Sequence, residues 1–168
     1  LRAAGADVVP VALPEPLAET ARTLRTIMLY EAATHLAALQ DRERGRLTPA
    51  LNAALDEGRA IAADDYRRAL VSRRVMIASA QDWLARYDAL IAPPATGPAP
   101  EGLATTGDPS CCTMASLLGF PALSLPIGLA GSGLPLGMQI ITPADADDRA
   151  LAVAAWCEAR LPFAGLAP

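Results

Sequence analysis

The segment Thr105–Gly128, whose sequence is TTGDPSCCTMASLLGFPALSLPIG, carries the strongest fold signals of this protein. A Gly-Asp-Pro turn leads into residues 110–118, which are predicted to form a short helix because Gly119 supplies a stop directly after them. Residues 122–127 follow Pro121 and are predicted to form a strand. A turn of this kind holds the amide N–H groups of a helix N-terminus at the edge of a sheet, where they can bind a carbonyl or anionic group of a ligand.

A long loop and a buried strand precede this segment, and a second strand and a helix follow it. Residues 93–109 contain five prolines and three glycines, and a loop of that length is a candidate for function rather than a routine connection. The apolar run 88–92 is predicted to be a buried strand, and apolar residues at helical spacing predict a long helix over 62–86. A Gly- and Pro-rich turn leads to a predicted strand over 136–141, and a last helix is predicted over 147–161.

The N-terminal third is predicted to be mostly helical. Gly5 is a candidate helix C-cap, and residues 7–13 are predicted to form a buried strand. Apolar residues recur on one helical face over residues 20–40. The Thr-Pro pair at 48–49 predicts the start of a short helix that stops near Gly58. Because helices and strands alternate throughout, the predicted fold class is α/β.

The composition excludes several chemistries. The 168 residues suit one ordinary domain, and 52% of them are hydrophobic, which excludes disorder. None of them is a lysine, so the sequence contains no P-loop lysine, no Schiff-base lysine and no lysine base. A net charge of −4 supplies no basic field for nucleic acid, so no nucleic-acid partner is expected. No apolar run reaches 18 residues and no signal peptide is recognisable, so no membrane partner is expected either.

The cysteines indicate a reducing compartment. Three cysteines cannot form an even disulfide framework, and the adjacent pair at 111–112 has neither redox nor metal-ligand spacing. Free thiols and a cytoplasmic location are therefore expected. The single histidine, His35, leaves no second imidazole for a histidine-rich metal cage, and no metal or cofactor is expected.

Other candidate motifs favour structural interpretations. The glycines of 131–137 have the wrong spacing for a dinucleotide loop and precede a strand, so a hairpin turn is favoured. The acidic residues of 145–148 lack the rest of an EF-hand and are predicted to cap the last helix. His35 is interpreted as an ordinary, partly exposed residue. Ser132 lacks the preceding glycine of a nucleophile elbow, and Cys112 lacks an identifiable activating base.

Several separate motifs, in a shared order, resemble the amidase signature family. The C-terminal half contains DALIAPPAT, then TGDP, then SLLGFPALSLPIG and, after a gap, GLPLGMQIITPADADDRALAVAAWCEARLPF. Upstream, the segments LRAAGADVVPVALPE, RTIMLYEAATHLA and LTPALNAALDEGRAIAADDYRRALVSRR are also similar to the family. The similarity covers nearly all of residues 1–163.

This resemblance implies a single large α/β domain in which helices cover a mixed central sheet. It also implies amide C–N hydrolysis, or ammonia relay in an amidotransferase, through a Ser nucleophile activated by a second Ser and a neutral Lys. The family places those groups in an N-terminal, Gly/Ser-rich stretch. This sequence has no lysine and no Gly/Ser-rich stretch longer than 131–133, so no catalytic residue is carried over. The whole chain, 1–168, is interpreted as the C-terminal segment of such a domain, without its N-terminal catalytic segment.

What the resemblance does carry over is one wall of a pocket for a small-molecule amide substrate. The six matching positions, the wall residues, are Thr106, Gly107, Asp108, Pro109, Cys112 and Thr113, and Ser116 lies one turn further on. Small side chains at 111, 112 and 115, where many relatives have bulky ones, leave the substrate unassigned.

Three functional interpretations follow. The first is the C-terminal part of an amidase that provides scaffold and pocket wall. The second is a noncatalytic small-molecule-binding or scaffold module, and the third is part of a glutamine-amidotransferase subunit. Strands that lack their sheet neighbours expose edges, so the isolated chain is expected to self-associate.

Overall fold

The computed structural model describes residues 1–161 and 163, and it contains five α-helices and three strands in that part of the chain. In chain order the elements are α1 (Thr20–Glu43), α2 (Pro49–Ala60), α3 (Ala63–Leu84), β1 (Leu90–Ala92), α4 (Ser110–Leu118), β2 (Ala122–Leu129), β3 (Pro135–Ile141) and α5 (Asp147–Glu158). Short 3₁₀ helices cover Arg2–Ala4, Glu15–Glu19 and Arg44–Arg46. Within the described residues, no helix is both long enough and apolar enough to cross a membrane.

The three strands form one small antiparallel sheet in the order β1-β3-β2. Gln139 lies opposite Ala92 on one side and Ser124 on the other, which fixes the register of both pairs. The turn between β2 and β3 is closed by hydrogen bonds between Ala130 and residues 133 and 134, so the glycines of 131–133 belong to a hairpin as predicted. The α/β class is confirmed as a helix-rich fold around a small sheet.

The two faces of the sheet pack against different helices. One face, which includes Met138 and Ile140, packs against Ala154 and Cys157 of α5. On the opposite face, Ile141 joins the larger core, whose buried members come mainly from α3 and α4. Ile140 and Ile141 point to opposite faces of the sheet and are both fully buried. Helix α5 on one face and helices α3 and α4 on the other are therefore both needed to cover β3.

Helix α2 does not stop near Gly58, which corrects the prediction from sequence. The helix continues to Ala60, and Gly58 is a buried residue inside it. A Cβ atom at this position would lie 2.1 Å from the carbonyl oxygen of Leu29 and 2.8 Å from the Cβ of Ala33, both in α1. The glycine therefore permits close contact between the two helices, and its cost in helix propensity is offset by that packing.

The predicted buried strand at residues 7–13 is also wrong. No helix, turn, bend or strand is assigned from Ala6 to Leu13, and the segment pairs with no other strand. Val9, Val11 and Leu13 are 50%, 36% and 51% exposed. The aliphatic pattern favours a strand, but a strand needs a neighbour to bond to, and the described part of the chain places none beside it.

The last helix is shorter than predicted because α5 ends at Glu158 rather than near Leu161. The amides of residues 159–161 still donate to carbonyls of Ala155 and Cys157, so the chain continues into a hydrogen-bonded turn. Asp147 and Asp148 lie in the first turn of α5, as predicted, whereas Asp145 precedes it with a φ of 59° and Ala146 is the N-cap. The two first-turn carboxylates complement the helix dipole.

We predict that Gly58→Ala lowers the free energy of unfolding by about 2 kcal/mol or more, because its methyl group would overlap the backbone of α1. Gly45→Ala is the matched control, since nothing lies within 4 Å of its added Cβ; a change within about 1 kcal/mol is expected there. Urea unfolding followed by circular dichroism measures both. Equal stabilities of the two variants would show that α1 and α2 do not make this close contact.

Candidate functional site

The loop before α4 is held by its own polar side chains. The amide of Gly107 donates to Thr105 Oγ1 at 3.1 Å, and the amide of Ser110 donates to Asp108 Oδ1 at 2.8 Å. Gly107 has a φ of 96°, a left-handed conformation that side chains other than glycine strongly resist. Two successive side-chain-to-backbone turns thus shape the sequence TTGDPS into the entrance of α4.

Polar groups in the first turn of α4 form hydrogen bonds within the chain itself. The amide of Cys112 donates to the carbonyl of Pro109 at 3.0 Å, and the hydroxyl of Thr113 donates to the same carbonyl at 3.0 Å. Because Asp108 already accepts from the Ser110 amide, this carboxylate occupies the position that an anionic ligand would take. The Ser110 amide thus has a partner within the chain, and binding of a carbonyl or anionic ligand group at the start of α4 stays a prediction from the sequence.

The C-terminal end of α4 is anchored in the core. Ala115, Leu117 and Leu118 are buried, and Phe120, directly after the helix, is 5% exposed. Gly119 ends the helix with a φ of 72°, and its amide and that of Phe120 both donate to the carbonyl of Ala115. This left-handed glycine turns the chain from α4 into β2, as predicted from the sequence.

Arg73 of α3 fixes the same end of α4 from outside, a contact that the sequence did not suggest. Its Nε donates to the carbonyl of Leu117 at 2.6 Å, in a partly buried position. A cation at a helix C-terminus interacts favourably with the helix dipole as well as with the free carbonyl. The position of α4 is thus set by apolar packing and by one charge-assisted hydrogen bond.

Cys112 connects the start of α4 to the long loop. Its Sγ lies 3.1 Å from the carbonyl oxygen of Pro94, to which the thiol donates. Pro94 in turn lies against β3, where a Cβ at Gly137 would come within 2.7 Å of the proline ring. Gly137 is therefore required for close contact between the loop and the sheet, and Pro94 lies between β3 and α4.

Gln139 is a polar residue of this region that the sequence reasoning missed. It is 5% exposed, and its Oε1 atom is buried without a hydrogen-bond partner. It shares a sheet face with Gly137 and Ile141 and lies opposite Ser124 of β2. The available signal was a single polar residue within the apolar strand GMQII.

The six wall residues lie together at the entrance of α4, but on the surface. Thr106, Gly107, Asp108, Pro109 and Cys112 are exposed, and Thr113 is half-buried. A large cavity of about 1280 Å³ lies elsewhere, between the N-terminal segment, the residues around β1, and α5. Assignment of the wall residues to substrate binding thus remains a prediction from the resemblance.

The other candidate residues behave as ordinary side chains. His35 is exposed on α1. The Arg residues near the start of α3 form surface ion pairs, Arg67 with Asp64 and Arg68 with Asp65. In the described ranges, no group of three or more His, Cys, Asp or Glu side chains could hold a metal ion, and the three cysteines are free thiols.

Comparison with known proteins identifies the family. The family profile described as Amidase matches residues 1–151, which is most of the chain. The chain belongs to the amidase signature family. A solved structure titled as the crystal structure of an amidase superposes on 95% of this chain with a TM-score of 0.86 and 30% identity. The helices and the small sheet are therefore arranged as in an amidase.

Alignments with two curated relatives show how much of this chain and of each relative is matched. One is a subunit of the glutamyl-tRNA(Gln) amidotransferase of Granulibacter bethesdensis, which is 31% identical over an alignment of 194 positions that covers 97% of this chain and 39% of the relative. The 6-aminohexanoate-cyclic-dimer hydrolase of Paenarthrobacter ureafaciens is 34% identical over 105 positions, covering 51% of this chain and 21% of that enzyme. The chain thus spans well under half the length of either relative.

We predict that Cys112 of the native chain reacts with iodoacetamide at least about a hundredfold faster than Cys157, because only the exposed thiolate is an accessible nucleophile. Cys157 is 2% exposed, and burial raises the pKa of its thiol, so its thiolate forms only at higher pH and its slow labelling should increase with pH across the range measured. Peptide mapping by mass spectrometry between about pH 7 and pH 9 measures both rates.

The control for this labelling experiment is the chain unfolded in concentrated urea, where all three cysteines should react at similar rates. Fast native labelling of Cys157 would contradict the packing of α5 against the sheet.

Proposed function

We propose that this chain is the C-terminal part of an amidase that hydrolyses a small-molecule amide, and that it provides scaffold and one wall of the substrate site. The single observation that carries this proposal is the 0.86 TM-score at 30% identity to an amidase over 95% of the chain. Membership of the family supports the reaction class. The share of the relatives that the chain spans, 39% or less, supports a partial role in that reaction.

The catalytic groups are proposed to lie outside this sequence. The resemblance implies a Ser-Ser-Lys mechanism, and the sequence contains no lysine. Cys112 offers no substitute, since its thiol donates to a backbone carbonyl rather than to a base. We therefore assign no catalytic residue, cofactor or metal to the 168 residues, and we expect a cytoplasmic location because the cysteines are free.

The wall residues are the proposed substrate contacts. Local geometry supports this proposal. The side chains of Thr105 and Asp108 shape the loop by hydrogen bonds to its backbone, and Arg73 holds α4 at its other end. A rigid element that presents a small side chain such as Cys112 leaves room for the acyl or leaving group of a substrate. The contact would be made mainly through shape, since the Asp108 carboxylate and the Ser110 amide are already hydrogen-bonded to each other.

A second candidate function is that of one component of a glutamine amidotransferase. The observation that favours it is the match over 97% of the chain to a protein named as a subunit of glutamyl-tRNA(Gln) amidotransferase. In that role the chain would act within a complex. A third candidate, a noncatalytic binding or scaffold module, would require that the chain alone bind small amides, which ligand-dependent thermal stabilisation would reveal.

Self-association of the isolated chain is also proposed. The exposed aliphatic side chains at Val9, Val11 and Leu13 support it. So does the small sheet, whose two outer strands each pair on one side only among the described residues.

We predict that the 168-residue chain hydrolyses no amide in a panel of aliphatic and aromatic carboxamides, when ammonia or amine release is measured. A protein that joins this chain to the Gly/Ser-rich, lysine-containing part of an amidase should turn over at least one of them. Replacement of that part's nucleophilic serine by alanine is the control, and it should abolish turnover. Robust hydrolysis by the 168-residue chain would overturn the assignment of catalysis to groups outside it.

We predict that Cys112→Phe in the joined enzyme raises KM for its substrate about tenfold or more, which corresponds to roughly 1.4 kcal/mol of lost binding. The added ring would fill the space that the thiol leaves beside α4. The matched control is Ser132→Phe, an exposed position in the hairpin turn, which should leave KM unchanged. Equal KM values for the two variants would exclude Cys112 from the substrate wall.

A further inference from the structure

Gln139 of β3 has a buried polar atom without a partner in the described structure. The residue is 5% exposed, and its Oε1 forms no hydrogen bond with any described residue. A buried acceptor of this kind destabilises a fold, and an apolar side chain of similar length, such as methionine, avoids that cost. Packing within the described residues therefore gives no reason for an amide at this position.

Gln40 shows how a buried glutamine serves a structural role. Its Oε1 also lacks a partner, but its Nε2 donates to the carbonyl of Asn52 at 3.3 Å and to Asp56 Oδ1 at 3.0 Å. These hydrogen bonds join α1 to α2. The contact between two helices thus explains the amide of Gln40, which makes this residue a matched control for Gln139.

The surroundings of Gln139 connect it to the wall residues. Gly137 lies next to it on the same face of β3, and a Cβ atom at Gly137 would lie 2.7 Å from the ring of Pro94 and 3.1 Å from Ser124 Oγ. The carbonyl of Pro94 accepts the hydrogen bond of the Cys112 thiol. Residues two apart on a strand are separated by about 7 Å, so Gln139 lies one such step from the contact between Pro94 and the sheet. Gln139 is thus at the floor of the site whose wall includes Cys112.

The cross-strand neighbours of Gln139 are short and neutral. Ser124 of β2 lies directly opposite Gln139 and is exposed, and Ala92 of β1 lies opposite it on the other side. Neither side chain is charged, and both are shorter than glutamine. A neutral polar group of a ligand is therefore favoured at this floor over an ionised one, since no opposite charge is at hand to pair with it.

We propose that the side-chain amide of Gln139 binds the amide group of the substrate and determines the preference of the site for amides. This inference rests on the proposed amidase function and names the group through which the site recognises its substrate. A primary carboxamide offers an N–H donor and a carbonyl acceptor, which complement the Oε1 acceptor and the Nε2 donor of Gln139. The last torsion of a glutamine side chain is broad, so the amide can turn to present either atom toward the exposed Ser124.

The same contact discriminates the substrate from its product. Hydrolysis by one water molecule breaks the C–N bond and yields a carboxylate and ammonium, and the carboxylate has no N–H for Oε1 to accept. Because an acceptor that faces a second acceptor stays unpaired, the product is bound less tightly than the substrate. An ester of the same acyl group also lacks the N–H, and it therefore serves as a probe of this contact.

Kinetics of the joined enzyme test the proposal. Gln139→Met keeps the length of the side chain and removes its hydrogen-bonding groups. For the best carboxamide of the panel we expect kcat/KM to fall at least about tenfold, whereas kcat/KM for the methyl ester of the same acid should change less than about threefold. The melting temperature should not fall, because methionine removes the unpaired buried acceptor.

The matched control, Gln40→Met, should give the opposite pattern. It removes the hydrogen bonds between α1 and α2, so the melting temperature should fall by about 3 °C or more. The ratio of the amide and ester kcat/KM values should stay within about threefold of the parent ratio, because Gln40 lies outside the site.

Binding to the 168-residue chain gives a readout that needs no turnover. In the ¹⁵N-labelled chain, the side-chain amide signals of Gln139 are identified by their absence from the spectrum of Gln139→Met. We expect benzamide at about 10 mM to shift these signals, and benzoate at the same concentration to leave them in place. The side-chain signals of Gln40 should stay unshifted with both compounds.

Two results would overturn the role of Gln139. One is an amide-to-ester ratio that Gln139→Met leaves unchanged; if the melting temperature falls as well, Oε1 pairs with the rest of the enzyme instead of the substrate. The other is a set of Gln139 signals that benzamide does not shift. A joined enzyme that hydrolyses no carboxamide, together with benzamide-dependent shifts of Gln139, would overturn the proposed amidase function and leave amide binding by Gln139 in place.

Discussion

The burial of Leu117, Leu118 and Phe120 in the core that α4 shares with α1 and α3 holds the other elements in place. These residues share one apolar core with Met76, Ala80, Trp83 and Leu84 of α3. Their burial fixes α4, and the left-handed turn at Gly119 then directs β2 into the sheet. Since β3 pairs with β2 along most of its length, the packing of α4 also sets the position of the sheet. Large apolar side chains supply most of the driving force, and Arg73 adds a specific anchor.

The polar groups of the candidate site divide into satisfied and unsatisfied sets. The entrance of α4 is closed by its own hydrogen bonds through Thr105, Asp108 and Thr113. By contrast, the buried Oε1 of Gln139 has no partner among the described residues. A buried polar group is costly to leave unpaired, so this position marks where a ligand or another polypeptide would stabilise the fold. It agrees with the proposal that this chain is one part of a larger catalytic unit.

Local signals in the sequence are sufficient to predict α4, the hairpin and the first turn of α5. Each has a terminating glycine, a turn-forming run or first-turn acids that act over a few residues. Gly58 and the segment 7–13 show where local signals fail. A glycine indicates a helix stop, but Gly58 lies inside a helix because a second helix packs too closely to admit a Cβ atom. An aliphatic run indicates a buried strand, but residues 7–13 have no neighbouring strand among the described residues. The roles of Gln139, Pro94 and Arg73 escape prediction because they depend on partners far along the chain.

The amino-acid sequence alone establishes the order and type of most elements, the resemblance to the family, and the absence of a lysine from these 168 residues. Those properties follow from composition, short-range periodicity and motif order, which need no knowledge of distant contacts. The structure was needed to show that α2 continues through Gly58, that Asp108 accepts a hydrogen bond from the Ser110 amide before α4, and that most of residues 7–13 lie exposed. Each of these depends on whether a group far along the chain, or a side chain folded back on its own backbone, supplies the contact.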